Sequence, residues 1–299
     1  VENEMDKIGF GIIGCGYQTT KNMAPAMAKS DVSDMIGFYD LDHAKAQTLA
    51  SAYNATVFDD LDDLLACAKI DAVYIATPIS THAELCKKAA DHGKHILCEK
   101  SLALNPSQDA EIRNYCEARG VCLLEGFMYQ YHTQHSFVRE MIAKGEIGEP
   151  VLFQAWFGFP PFPDTDFRMK KEMGGGALLD AGAYVIHAAK NFFGREPETE
   201  HRVITYNHNG LDIQGSILMD FGRGQSALLS YGMNNSYKNS YSIWGTRGEI
   251  TLTRAFSIPE HHIPVCRIVV QGLVREYQLQ PCNQFVEELK AFHKLINER

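Results

Sequence analysis

From Ile8 to Gly126 short apolar runs alternate with helix-like segments, and this alternation limits the fold more than any other feature. The runs are Ile8–Ile13, "MIGFYD", "DAVYIAT", "HILCE" and "VCLLEG". Between them lie "NMAPAMAKS", "HAKAQTLASAY", "THAELCKKAADHG" and "SQDAEIRNYCEARG", closed by glycine or a polar turn. Apolar runs that do not alternate with polar residues belong to strands covered on both faces, which means βαβ units and a parallel sheet. From Val151 the pattern changes to closely spaced strands: "VLFQAWFGF", "RVITYN", "GSILMDF", "QSALLSYG", "YSIWGT", "EITLTR" and "RIVVQG". "FGRGQ" and "GTRGE" supply hairpin turns between them. The expected architecture is an α/β Rossmann-type domain, a parallel doubly wound sheet, over residues 1–126. An α+β domain with a large, mostly antiparallel sheet follows over 127–299.

Composition excludes several classes. With 28 Lys and Arg against 37 Asp and Glu, net charge −9 and no basic run, nucleic acid is not an expected partner. No apolar stretch approaches the ~20 residues of a membrane span. The start "VENEMDK" lacks the basic and apolar regions of a signal peptide. Eight cysteines without a CxxC pair read as free thiols of a reducing, cytoplasmic compartment. His261, His262 and Cys266 do not suggest zinc, because adjacent histidines point apart and no further ligand pair is suitably spaced. No metal is expected.

Chemistry concentrates at three places. In "GIIGCGYQTT" Gly14 and Gly16 lie between a strand and a helix, where a glycine turn lets backbone amides approach a pyrophosphate. Thr19 holds the third glycine position, so a simple tight turn reads the same way. The next strand ends on Asp40, near the ~20-residue interval at which an acid meets the adenosine ribose. A carboxylate there favours NAD over NADP. The strand "HILCE" ends on Glu99 and Lys100, two charges at the carboxyl end of a parallel strand, where doubly wound sheets bind ligands. Finally "GGGALLDAGAYVIHAAKNFFG" reads as one long helix. At 100° per residue Asp180, Tyr184, His187 and Asn191 share a stripe opposite Leu178, Val185, Ala189 and Phe192. Those polar types suit hydrogen bonding and proton transfer, though a polar seam inside the protein would use them too. The triple glycine would let a ligand approach the helix's amino end.

Together "GIIGCG", "ATPISTH", "GKHILCEKS", "EGFMYQYHTQ", "GEIGEP" and "GGGALLDAGAY" resemble the glucose–fructose oxidoreductase/inositol dehydrogenase (Gfo/Idh/MocA) family over nearly the whole chain. The resemblance implies a nicotinamide cofactor on the first domain, contacted by Gly14, Gly16, Tyr17, Gln18, Asp40, Thr77, Pro78, His82, Glu99 and Lys100. It implies a sugar-like substrate, with Lys100, Tyr184 and Asp180 catalytic and Arg168, Asp180 and His187 binding. It also implies a homo-oligomer, dimer or tetramer, built through the second sheet. The tyrosine is closest to the branch of nucleotide-sugar ketoreductases, dihydrodiol dehydrogenases and pentose dehydrogenases. Ser101 stands where relatives carry proline, which favours a trans bond and a shifted loop. Gln130 and Thr133 stand in place of Arg and Pro. The expected activity is hydride transfer between NAD(P) and a sugar or polyol carbon, Tyr184 supplying a proton and Lys100 steadying the oxygen. The alternative is a non-catalytic, nicotinamide-sensing regulator on the same fold.

Overall fold

The computed structural model describes residues 7–298, so the acidic start lies outside the described residues. The chain forms two compact units: one runs through Met128 and takes in Phe285 onward, and the other is Tyr129–Gln284.

The first unit contains β1 (Ile8–Ile13), α1 (Ala24–Lys29), β2 (Ser33–Tyr39), α2 (His43–Tyr53), β3 (Thr56–Val57), α3 (Leu61–Ala66), β4 (Ala72–Ile75), α4 (Ile79–Asp91), β5 (His95–Glu99), α5 (Pro106–Glu117) and β6 (Leu123–Gly126). Its six strands pair in the order β3-β2-β1-β4-β5-β6, every pair parallel. Chain direction across the sheet reverses between β1 and β4, whose ends Ile13 and Ile75 are in register. The turn after Ile13 and the loop after Ile75 therefore open side by side at the switch point, where such sheets take ligands. β1, β4 and most of β5 are buried, as their unbroken apolar runs require.

The second unit contains α6 (Thr133–Ala143), β7 (Pro150–Gly158), α7 (Ala183–Phe193), β8 (Thr199–Tyr206), β9 (Asp212–Asp220), β10 (Ser226–Gly232), β11 (Lys238–Gly245), β12 (Gly248–Leu252), β13 (Val265–Val270) and β14 (Leu273–Gln278). The eight strands pair in the order β14-β13-β12-β11-β7-β10-β9-β8. Only β7 and β10 run parallel, and both anticipated hairpins form. One face is buried through Phe153, Ile217, Leu229, Ile243 and Ile268, whereas Leu218, Leu228, Trp244 and Val274 face outward and exposed.

The boundary differs from the sequence reading in one respect. The last helix, α8 (Gln284–Asn297), was assigned with residues 127–299, yet from Phe285 it belongs to the nucleotide-type unit. Phe285, Leu289 and Phe292 line one face of it. Phe292 meets Phe10 of β1 with ring centroids 6.0 Å apart. Strand β14 also escaped the sequence reading, because an edge strand exposed along most of its length shows no alternation of polar and apolar residues.

Candidate active site

The glycine turn is built from backbone and small residues. Gly14 has φ +97°, and a Cβ there would lie 2.8 Å from the Ala76 carbonyl, so the turn needs both the freedom and the slimness of glycine. A Cβ on Gly16 would meet nothing within 4 Å, which leaves the backbone open to an incoming phosphate. In place of the third glycine, Thr19 is fully buried and donates its hydroxyl to the Gly14 carbonyl at 2.6 Å. Tyr17 beside it is exposed. Asp40, just past β2, accepts the Cys15 amide at 2.6 Å and the Asp42 amide at 2.8 Å. Burial, with help from the Asp40 charge, pushes the Cys15 thiol up to about 12, so it is an uncharged wall and not a nucleophile. Cys15, Thr20, Ala44, Lys45, Thr48 and Leu49 line a cavity here. Open backbone, a strand-end acid and an adjoining cavity fit a dinucleotide.

The loops after β4 and β5 are tied to each other. Pro78 precedes α4, and Thr77 shares a 2.7 Å hydroxyl hydrogen bond with Thr81. His82 is fully buried, with Nε2 2.9 Å from the Thr77 carbonyl and Nδ1 2.9 Å from the Ser101 carbonyl. Burial holds its pKa below the usual value, so the neutral ring donates to one loop carbonyl while facing the other. His82 thus braces the two loops from beneath. The Lys100–Ser101 peptide is cis, which corrects the trans, shifted loop read from the sequence. The loop is fixed at Ser101 through His82 and at the Leu102 amide, which donates to Glu125 at 2.8 Å.

Glu99 has the partners its burial demands. One carboxylate oxygen accepts the Tyr74 hydroxyl at 2.7 Å and the Gln18 amide at 3.1 Å. Burial raises its pKa against the pull of Tyr74, Lys100 and Gln18. Glu288 of α8 carries the opposite signature. It is fully buried, neither carboxylate oxygen has a hydrogen-bond partner, and burial together with the nearby Glu99 raises its pKa strongly. Two buried acids in mutual repulsion cannot both ionise near neutrality. Glu99 has two donors and the Lys100 cation to favour its charged form; Glu288 has none of these, and its carboxyl is the one burial pushes up most strongly. No periodicity argument could have revealed Glu288, which lies among the apolar positions of its helix.

In the second unit the helix read as continuous begins with a π turn, Leu178–Gly182, ahead of α7. The wider turn breaks the 100° phase between Asp180 and Tyr184, so the stripe is regular only from Tyr184 onward. The glycines before it do not offer the helix start to a ligand. Gly176 has φ +120°, and a Cβ there would lie 2.1 Å from Asp212 Oδ1. Asp212 accepts the Leu178 amide at 2.5 Å and so fills the amino end with the chain's own carboxylate. Burial raises the Asp212 pKa although the Leu178 and Ala177 amides oppose it.

Arg168 and Asp180 do come together, Nε to Oδ2 at 3.1 Å. Asp166 holds the same guanidinium at 3.2 Å, and the rings of Phe162 and Phe167 flank it at 4.5 and 4.7 Å. Tyr184 is buried within an aromatic cluster, its ring centroid 5.1 Å from Phe157, 5.8 Å from Tyr129 and 5.9 Å from Phe256. His187 Nδ1 lies 2.7 Å from the Tyr129 hydroxyl. Tyr129 sits inside "EGFMYQYHTQ" but was not read as a site residue; its role is visible only through contacts remote in sequence.

No helix among the described residues is long and apolar enough to cross a membrane. None of the eight cysteines, all among the described residues, is joined in a disulfide. Residues 8–127 match the oxidoreductase family with an NAD-binding Rossmann fold, and residues 135–251 match the GFO/IDH/MocA C-terminal domain. The chain is 35% identical to a dTDP-3,4-didehydro-2,6-dideoxy-α-D-glucose 3-reductase of Saccharopolyspora spinosa, over 97% of this chain and 87% of that one. It is 29% identical to D-xylose 1-dehydrogenase (NADP(+)) 2 of Haloferax volcanii, over 96% and 88%. A crystal structure of a 3-ketoreductase from Actinomadura kijaniata with NADP and TDP-benzene superposes with a TM-score of 0.91 at 30% identity, covering 98% of this chain and 90% of that one. The chain belongs to the Gfo/Idh/MocA oxidoreductase family: it is an NAD(P)-dependent enzyme that transfers hydride at a CH–OH or keto group of a sugar-like substrate.

Proposed function

We propose that the enzyme works as a ketoreductase, with a nucleotide-linked keto-deoxysugar as its substrate class. The observation that carries this reading is the placement of Lys100 at the end of β5 in a chain matching a dTDP-sugar 3-reductase over nearly its whole length. A nicotinamide dinucleotide, when bound, would supply the hydride. Lys100 holds the substrate oxygen and stabilises the negative charge that develops there. Tyr184 gives that oxygen its proton and is reprotonated from solvent. Asp180, steadied by Arg168, binds a sugar hydroxyl together with His187. The glycine turn, Gln18 and the Thr77–Pro78 loop hold the cofactor, and His82 sets the loop that carries Lys100. The second unit is the substrate-binding domain.

Asp40 selects NAD, because its charge repels a 2′-phosphate. The relatives that use NADP, and Lys45 in the adjoining cavity, favour the other cofactor, so direct competition is the fair test. Exposed Leu218, Leu228, Trp244 and Val274 on one sheet face make a second copy of the chain the natural cover, which gives a homo-oligomer. Light scattering of wild type and Trp244→Glu tests this; identical masses would refute it. Free thiols suit a cytoplasmic enzyme.

Cofactor absorbance with a panel of TDP-keto-sugars and free pentoses tests the main reading. Turnover of the nucleotide-linked ketones is expected. Turnover of free sugars alone would reassign the substrate, and cofactor binding without any turnover would favour the regulatory alternative.

A further inference from the structure

Glu125 opens the motif "EGFMYQYHTQ" and has no part in the proposed hydride transfer. It lies on β6 opposite Cys98 of β5, beside the strand end that carries Glu99 and Lys100. Its carboxylate is divided between two elements. Oε1 accepts the Leu102 amide at 2.8 Å, and Oε2 accepts Arg113 of α5 at 2.7 Å. Both directions are fixed, because a backbone N–H and a guanidinium only donate. Arg113 is held in turn by Asp109, one turn back on α5, through Nε at 2.7 Å and Nη2 at 3.1 Å. Helix α5 thus reaches, through a network of charges, the segment that follows Lys100.

That segment is pinned step by step. The Ser101 carbonyl faces His82, the Leu102 amide meets Glu125, and the Leu104 amide donates to Gln108 Oε1 at 2.9 Å. The Leu102 and Ala103 side chains are buried. A neutral oxygen would satisfy the Leu102 amide. A largely buried carboxylate is a costlier choice, since its charge must be compensated. Its hydrogen bond to the amide, however, is charge-assisted and roughly twice as strong as a neutral one.

We propose that Glu125 is a positioning residue for Lys100: clamped by Arg113, it anchors the Leu102 amide and so holds the Lys100 ammonium where it meets the reacting oxygen. The proposal rests on the reading of Lys100 as the group that stabilises that oxygen. Strand β5 ends at Glu99, so the sheet ladder does not fix the main chain from Lys100 onward, and the anchors at Ser101 and Leu102 take over. A misplacement of about 1 Å at such a group costs on the order of 10²-fold in rate. Glu125 therefore bears on kcat and little on cofactor affinity, which the glycine turn governs.

A double-mutant cycle on the full chain tests this, read by NAD(P)H oxidation with the panel of TDP-keto-sugars. Glu125→Gln keeps the size and an oxygen for the Leu102 amide but turns an N–H toward Arg113, which breaks the clamp. Its kcat should fall about 10-fold, with KM for NAD(P)H within about twofold. Arg113→Met, at a half-exposed position, breaks the clamp from the other side and should lower kcat about threefold. In the Lys100→Met background Glu125→Gln should change the residual rate by less than about twofold, because the group it positions is gone. A second readout needs no turnover: NMR of the 13C-dimethylated lysines, with Lys100 assigned by its loss in Lys100→Met. Both Glu125→Gln and Arg113→Met should shift the Lys100 signal. A signal unmoved in both variants overturns the positioning, and so does an equal loss of kcat in both backgrounds, the mark of a general structural defect. Where Glu125→Gln does not fold, Arg113→Met carries the same cycle. A Lys100→Met enzyme as fast as wild type would refute the reading of Lys100, and the NMR signal would still decide whether Glu125 holds that side chain.

Discussion

The two units place reactive groups by different means. In the first, the site is largely main chain: an open turn at Gly16, a carboxylate tied to two amides at Asp40, and loops fixed at their carbonyls by His82. In the second, it consists of side chains holding side chains: Arg168 between Asp166 and Asp180, and Tyr129 on His187. Backbone sites follow from strand order and glycine position. Side-chain sites follow from contacts that strand order does not specify.

The largest effects should come from the two groups proposed as catalytic, one from each unit. Tyr184→Phe keeps the ring and its packing, so cofactor affinity should survive while hydride transfer slows by about 10²–10⁴-fold. Lys100→Met should lower turnover by about 10²-fold or more at similar cofactor affinity. Single-turnover absorbance measures both, and rates close to wild type in either variant would make that residue structural.

A glycine pair sharpens the contrast. Gly14→Ala and Gly176→Ala each put a Cβ at positive φ against a fixed neighbour, the Ala76 backbone in one case and the Asp212 carboxylate in the other. Each should cost about 2 kcal/mol or more in chemical denaturation. Gly14→Ala should weaken cofactor binding as well, whereas Gly176→Ala should leave it unchanged. Equal loss of cofactor affinity would erase the distinction between the units.

Glu288 gives a smaller, pH-dependent effect. Its folded-state pKa is raised, while the unfolded chain releases the proton near the ordinary value of about 4.3. Between these two values the unfolded state binds fewer protons, so this group makes folding less favourable as pH rises. Glu288→Met should therefore stabilise the protein by about 1–4 kcal/mol near pH 8. The gain should shrink toward pH 4. A gain independent of pH in thermal unfolding would remove the titration from the account. Smallest of all, Asp40→Ser should narrow an NAD preference of about tenfold, ~1.4 kcal/mol, by calorimetry. A wild type that prefers NADP would refute the role given to Asp40.

Much of the first unit was legible because its evidence is local. Apolar runs of strand length gave the parallel sheet, and the glycine turn and the Glu99–Lys100 strand end could be read in place. Glu288 was not legible, since a buried acid on an apolar helix face looks like a polar interruption until its surroundings are known. In the second unit most strands and two hairpins were readable from short, closely spaced strand-like runs and turn signals. The π turn at Leu178–Gly182 was not, because nothing in "LLDAG" announces a wider helix, and it upset the stripe drawn through Asp180. Asp212 and Tyr129 stayed hidden for a related reason: each acts on a segment more than thirty residues away, at Leu178 and His187.

The return of α8 to the first unit also bears on the order in which the molecule can be made. Phe10 is translated before the sheet unit and its ring partner Phe292 after it. The Cys122 thiol likewise waits for the Leu295 carbonyl, 3.6 Å away. On the ribosome the nucleotide-type unit, though first in sequence, stays short of part of its interior until the sheet unit has been synthesised. The later-made unit can close first, and the earlier one is finished last.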